Sequence, residues 1–180
     1  MSDSWLIRSF RVIVHVLILR PLLRLLFGVG MVGLLHIRPL DQFVISANHN
    51  SHLDVFLLFH ILPLKHIGRT HPVAAKEYFE RSRFIFQIAD FLFRPIWISR
   101  GEADRQHDPL DRVREVIRAG QSVIVFPEGT RGKPGGVQRF QSGIGRVISE
   151  FENLSVLPVF LLGTERALPK ASALLLPFRN

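Results

Sequence analysis

The chain has 180 residues, enough for a single domain with a real hydrophobic core, and it has no cysteine, which excludes disulfides, zinc–thiolate centres and a cysteine nucleophile. A hydrophobic fraction of 47% is high for a soluble protein, yet 21% charged residues argue against an integral membrane bundle. The formal charge of +8 comes from 19 arginines and four lysines, and arginine is the cation suited to paired recognition of phosphate or carboxylate.

The first forty residues carry Arg8, Arg11, Arg20, Arg24 and Arg38 against Asp3, within the most apolar sequence of the chain. Ser4 to Leu19 reads as a helix with a narrow polar stripe of Ser4, Arg8, Arg11 and His15; the rest is Trp, Leu, Ile, Val and Phe. Pro21 is expected to break this helix or start another, and Leu22 to Leu35 forms a second apolar segment. The longest stretch here without a formal charge, Leu25 to Ile37, is 13 residues, short of the ~17–25 that a spanning helix needs. No small-residue cleavage site with signal-peptide flanks is present. The expectation is a helical hairpin over residues 1–40 lying in one leaflet of a membrane, with a core helix pair as the plainer reading.

Beyond residue 41 the pattern alternates. Phe43 to Ala47 is a short apolar strand, followed by the polar knot Asn48-His49-Asn50-Ser51-His52 and an apolar helix over Leu53 to Leu62. Further strands are expected at 72–75, 95–99, 122–126 and 155–162. Helices are expected at 81–93, at 108–119 with Asp108 as N-cap, and at 143–151. Pro127 to Arg139 reads as a Gly/Pro/Arg-rich loop. Such alternation predicts an α/β fold, a mainly parallel sheet covered by helices, as one domain over 41–180 behind the N-terminal segment.

Chemistry concentrates where strands end. Ser51-x-x-Asp54 has the spacing of a helix-start capping box, and it leaves His49 on the turn between strand and helix. From there the Asp54 carboxylate can reach back to the imidazole, making a base near neutral pH held in one tautomer. His36 has Asp41 at the same spacing, but Pro39 intervenes and the strand–turn–helix setting is missing. Arg100, with Gly101 and Glu102, follows the 95–99 strand; Glu128, Gly129, Thr130 and Arg131 follow the 122–126 strand. In open parallel sheets ligands bind beyond the carboxyl ends of the strands, so all three clusters are expected on one rim. Singly, each also reads as structure: Arg100 as a solvated charge, Glu128 and Arg131 as an ion pair, Gly129 as a turn residue. Together they point to transfer chemistry on an anionic substrate.

NHNSHLD followed by FPEGTR resembles the glycerolipid acyltransferases of the 1-acylglycerol-3-phosphate acyltransferase type, over about residues 42–170. His49 and Asp54 match that family's H-x-x-x-x-D acyltransfer motif, Arg100 in WISRG its second block, Glu128 to Arg131 its third, and Pro158 in VLPVF its fourth. The resemblance implies transfer of a fatty acyl group from a coenzyme A or acyl-carrier-protein thioester to a lysophospholipid hydroxyl. It also implies no bound cofactor or metal, and work at the cytoplasmic face of a membrane as a peripheral or monotopic protein. Two departures stand out. Gln141 occupies a position where many relatives place a lysine, leaving Lys133 or Arg139 as substitute cations for an acceptor phosphate. The chain stops at Asn180, soon after an apolar run, where relatives usually continue, as a truncated form would.

On this reading His49 is the general base, Asp54 orients it, and Arg100 and Arg131 hold the acceptor phosphate with Glu128, Gly129 and Thr130 around them. Backbone N–H groups at the helix start near Ser51 are the expected oxyanion donors. With no cysteine and no G-x-S-x-G elbow, direct transfer without an acyl-enzyme is expected. An acyl-thioester hydrolase and a non-catalytic basic membrane binder remain the alternatives. Nucleic acid is not an expected partner, because no basic motif with interleaved aromatics occurs.

Overall fold

The computed structural model describes residues 5–79, 82–99, 108–130, 132 and 137–167. Five strands, β1 (Phe43–Ala47), β2 (Thr70–Ala75), β3 (Ile96–Ile98), β4 (Ser122–Val125) and β5 (Ser155–Val159), form one sheet in the order β3-β2-β4-β1-β5. Every pairing is parallel. The expected α/β architecture is therefore present, with all strand C-termini on one rim. The order puts β4 between β2 and β1, so the ends of β1 and β4 are neighbours, in register Ser46↔Val125.

Alternation along β1 and β4 divides the core. Phe43, Ile45, Ala47 and Ile124 point to one face, where they pack with Leu58, Phe59 and Leu62 of α3 (Leu53–Ile61) and its C-cap and with Leu92 and Phe93 of α6 (Arg83–Phe93). Val44, Val123 and Val125 point to the other, against Val113 and Ile117 of α7 (Asp111–Arg118) and Val147 of α8 (Ser142–Ser149). Pro72 in the interior strand β2 sits where its pairing changes hands: Thr70–Pro72 pair with β4, Val73–Ala75 with β3. The missing N–H thus falls at a hand-over rather than within a continuous ladder. Pro158 lies on the edge strand β5.

The N-terminal region departs from the hairpin expectation. Trp5–Val14 (α1), a π-helical His15–Leu19 and Arg20–Phe27 (α2) follow one another with helical backbone at each junction, making one continuous helix. Pro21 does not break it. Its ring would crowd the carbonyl of residue 17 in an ordinary turn, and the wider π turn just before it, closed by Arg20 N–H to His15 O, makes room. The helix ends at Gly28, in the left-handed conformation (φ +53°) that a glycine C-cap provides. Only a short 3₁₀ turn, Leu34–His36, stands in place of the second helix. Among the described residues no helix is long and apolar enough to cross a membrane.

This helix is docked with its polar stripe inward. Arg11 and His15 are buried, while Trp5, Leu6, Phe10, Ile13, Leu17 and Leu25 are exposed. The inward arginines meet helix C-termini, where carbonyls lack intrahelical partners. Arg11 Nε donates to Phe91 O near the end of α6 at 2.6 Å, and Arg20 donates to Leu62 O at the end of α3. The Arg8 stem lies against Gly68, which caps α4 (Leu64–Ile67).

Candidate active site

The knot after β1 forms the carboxylate half of the expected capping box, while Ser51 Oγ takes the N–H of Leu53 instead of that of Asp54. Asp54, on the first turn of α3, turns its carboxylate back over the turn: Oδ2 accepts from Asn50 N (2.7 Å), Ser51 N (2.9 Å) and His49 Nδ1 (2.9 Å). Ser51 Oγ accepts from Leu53 N at 3.2 Å. Asp54 is fully buried, whereas the His49 side chain remains 20% exposed. A carboxylate accepting the Nδ1 proton leaves Nε2 as the nitrogen with a lone pair, the tautomer a general base needs.

The same bonds overturn one expectation. Asn50 N–H and Ser51 N–H both serve Asp54, Leu53 N–H serves Ser51 Oγ, and Asp54 N–H is directed at Ser51 O (3.3 Å). Of the donors expected to form an oxyanion hole at this helix start, Asn50 and Ser51 N–H are taken up by the Asp54 carboxylate and those of Leu53 and Asp54 by Ser51.

β4 supplies the second wall. Phe126, just past its end, stacks on His49 with ring centroids 4.0 Å apart and planes 21° apart. Glu128, expected to meet the acceptor, is only 2% exposed, and its two carboxylate oxygens accept backbone N–H groups of His49 and Gln138, both at 3.0 Å. It ties the His49 turn to the far side of the 127–139 loop. Gly132 N–H closes the same knot on His49 O at 2.7 Å. A Cβ on Gly132 would come within 3.0 Å of Glu128 Oε2 and 3.1 Å of Asn50 Oδ1, so any larger residue at this crossing presses on both side chains. Gly129 has φ +72°, which its missing side chain permits, and Thr130 is exposed beside it. On the other side Asn48 imitates a strand residue: its amide donates to Leu161 O (2.9 Å) and accepts from Leu161 N (2.7 Å), fastening the knot to the chain beyond β5.

Of the expected site residues, His49, Asp54, Glu128, Gly129 and Thr130 come together. Arg100 and Arg131 lie outside the described residues, as do Gly101, Glu102 and Lys133. β3, which leads to Arg100, ends on the same rim but three strand places from β1, roughly 14 Å along the sheet. Sequence reasoning missed Phe126 and Asn48. Their signal was positional only, since each is the first residue after a strand whose neighbours the sequence does not name. Among the described residues no group of three or more His, Asp or Glu side chains could hold a metal ion.

A cavity of about 970 Å³ begins beside the pair, at Leu53, and extends past Leu57 and Ile61 of α3 beneath the 27–37 connector and the segment after β5. Its lining is mainly aliphatic, and His49 stands outside it.

The motifs, their spacing and this geometry agree with a comparison across known families: the family model described as Acyltransferase matches residues 29–162. The chain belongs to the acyltransferase family. The chain is similar to a 1-acyl-sn-glycerol-3-phosphate acyltransferase of Chlamydomonas reinhardtii, 31% identical over 148 residues, covering 79% of this chain and 41% of that one. A chloroplastic 1-acyl-sn-glycerol-3-phosphate acyltransferase of Arabidopsis thaliana is 29% identical over 132 residues, covering 72% and 34%. The chain thus spans less than half the length of these curated relatives. Its fold resembles the crystal structure of the 1-acyl-sn-glycerophosphate acyltransferase PlsC from Thermotoga maritima, with TM-score 0.72 and 22% identity over 96% of this chain and 66% of that one.

Proposed function

We propose that this chain transfers a fatty acyl group from a coenzyme A or acyl-carrier-protein thioester to the hydroxyl of a lysophospholipid such as 1-acylglycerol-3-phosphate. The observation that carries the reading is the His49 Nδ1–Asp54 Oδ2 contact of 2.9 Å, on a partly exposed imidazole at the ligand-binding rim of a family member. His49 Nε2 takes the proton of the acceptor hydroxyl as the oxygen attacks the thioester carbonyl. The C–S bond then breaks, and the departing thiolate takes that proton from the imidazolium, which Asp54 stabilises throughout. No acyl-enzyme and no bound cofactor enter this scheme. Arg100, Gly129, Thr130 and Arg131 are assigned to the acceptor's phosphate, with Glu128 supporting them from behind. The aliphatic cavity beside Leu53 is of a size and character to take a fatty chain.

Residues 1–40 form the membrane-interface part and 41–180 the transfer domain, working peripherally at the cytoplasmic face. The support is an apolar outer helix face combined with arginine and no acidic residue over 5–27. The test offers labelled acyl donor, on each carrier, with phosphorylated and unphosphorylated lysolipids, and identifies products by mass. Acylated lysophospholipid with the native chain is expected, and a rate about 100- to 10,000-fold lower for His49→Ala. Free fatty acid as the sole product, whatever the acceptor, would make the protein a hydrolase instead.

A further inference from the structure

α6, like the N-terminal helix, leaves large apolar side chains exposed. Its inner face buries Ala89, Leu92 and Phe93, and Phe86 stacks on Trp97 at 4.6 Å. Its one acidic side chain, Asp90, is occupied by the Trp97 indole N–H at 3.0 Å. The outer face is nevertheless apolar too: Phe84, Ile85, Ile88 and Phe91 are 72, 54, 41 and 36% exposed. Its polar residues Arg83, Gln87 and Asp90 occupy one narrow stripe, so an apolar face this wide is only half covered by the protein.

The two outer faces are continuous. Phe10 of α1 and Phe91 of α6 have ring centroids 5.9 Å apart, and the Arg11–Phe91 O bond fixes one helix to the end of the other. The combined patch, from Trp5, Phe10 and Ile13 across to Ile88 and Phe84, exceeds the scattered apolar exposure of an ordinary surface.

Resting on the membrane reading above, we infer that α6 is a second lipid-bedding element, and that it and the N-terminal helix form one face seated in an anionic bilayer surface. Charge selects this occupant. Arg11 and Arg20 are turned inward, but the helix over 5–27 has no Asp or Glu and exposes Arg24, and exposed Arg83 stands beside Phe84 at the start of α6. Arginines with apolar neighbours suit a headgroup layer, where the stems lie in hydrocarbon and the guanidiniums meet phosphate. A two-fold contact between copies would set this face, which carries Arg83 and no acid over 5–27, against itself with like charges apposed.

The cysteine-free sequence makes the test direct. Single cysteines replace Ile13 (α1), Ile88 (α6) and Arg118 (end of α7, on the other face of the sheet), each carrying an environment-sensitive fluorophore. The full-length proteins are mixed with vesicles of phosphatidylcholine and phosphatidylglycerol containing lipid-borne quenchers. Quenching at residues 13 and 88, but not at 118, is the expected result, weakening when phosphatidylglycerol is left out. Quenching at 13 with residue 88 remaining in water would overturn the role of α6 and leave the N-terminal anchor standing. Quenching at neither would remove the membrane reading itself. Labels at 13 and 88 that are shielded without vesicles, in a protein sedimenting as a dimer, would assign the face to a second copy.

Discussion

Two parts of this molecule bury polar side chains, and they do so with opposite signs. At the rim the buried groups are acids: Asp54 and Glu128 collect backbone N–H groups of the turn after β1 and of Gln138, at 2.7 to 3.0 Å. Under the N-terminal helix the inward groups are bases: buried Arg11 and half-buried Arg20 donate to carbonyls at the ends of α6 and α3. Each kind of charge goes to the backbone end that lacks its complement, acid to unpaired N–H and guanidinium to unpaired C=O. The consequences differ. Acids at the rim fix an imidazole in one orientation; arginines under the helix hold it polar side down, so that its apolar side faces outward.

The rim half of the comparison is broken most severely at Asp54. Asp54→Asn presents an amide where three donors converge, and transfer is expected to fall by about 100- to 10,000-fold, read as kcat with labelled donor. The two halves are compared most directly by a matched pair. Glu128→Gln sets an amide N–H against a backbone N–H and should lose about 1–3 kcal/mol; Arg11→Leu strands the carbonyl of Phe91 and should lose about 1.5–3 kcal/mol. Urea midpoints at constant slope measure both. Glu128→Gln should also lower kcat, since it loosens the His49 turn, whereas Arg11→Leu should leave turnover of a water-soluble donor and acceptor near native. Equal catalytic losses in the two variants would mean that the regions are not separate.

Acid sharpens the comparison further. Burial, with Arg11 and Arg20 nearby, pushes the His15 imidazole below its usual value; burial, with Arg24 and Arg20 nearby, does the same to His60. Folded protein therefore binds fewer protons than unfolded protein, so this contribution to stability is level above about 6.5 and falls as pH drops below it. Replacing both with glutamine should flatten the acid limb of a stability–pH curve, while His66 and His71, lowered by burial as well, keep the remainder. An unchanged acid limb would remove the helix underside as a source of acid sensitivity. The smallest effect is expected at Gly132→Ala, where a new methyl group presses on Glu128 and Asn50 for about 1 kcal/mol, seen as a small drop in midpoint.

Local pattern alone determined a good deal. The strand after residue 42 and the buried strand before FPEGTR were legible as short apolar runs, and the helices between them through 3.6-residue periodicity and caps. The α7 start was displaced only because Asp108 closes a turn ahead of the helix, accepting from Leu110 N at 3.0 Å. The His49–Asp54 pair was legible for the same reason, since the Ser51-x-x-Asp54 box turns the carboxylate back onto the preceding turn, where His49 sits, all within six residues. Tertiary structure decided the rest. Placing β4 beside β1 brought Phe126 and Glu128 to His49, and no local period encodes strand order. The polar stripe of the first helix was visible in sequence, but its direction was not. Periodicity states that two faces of a helix differ; which face turns inward depends on what waits there, and here it was the carbonyl ends of other helices.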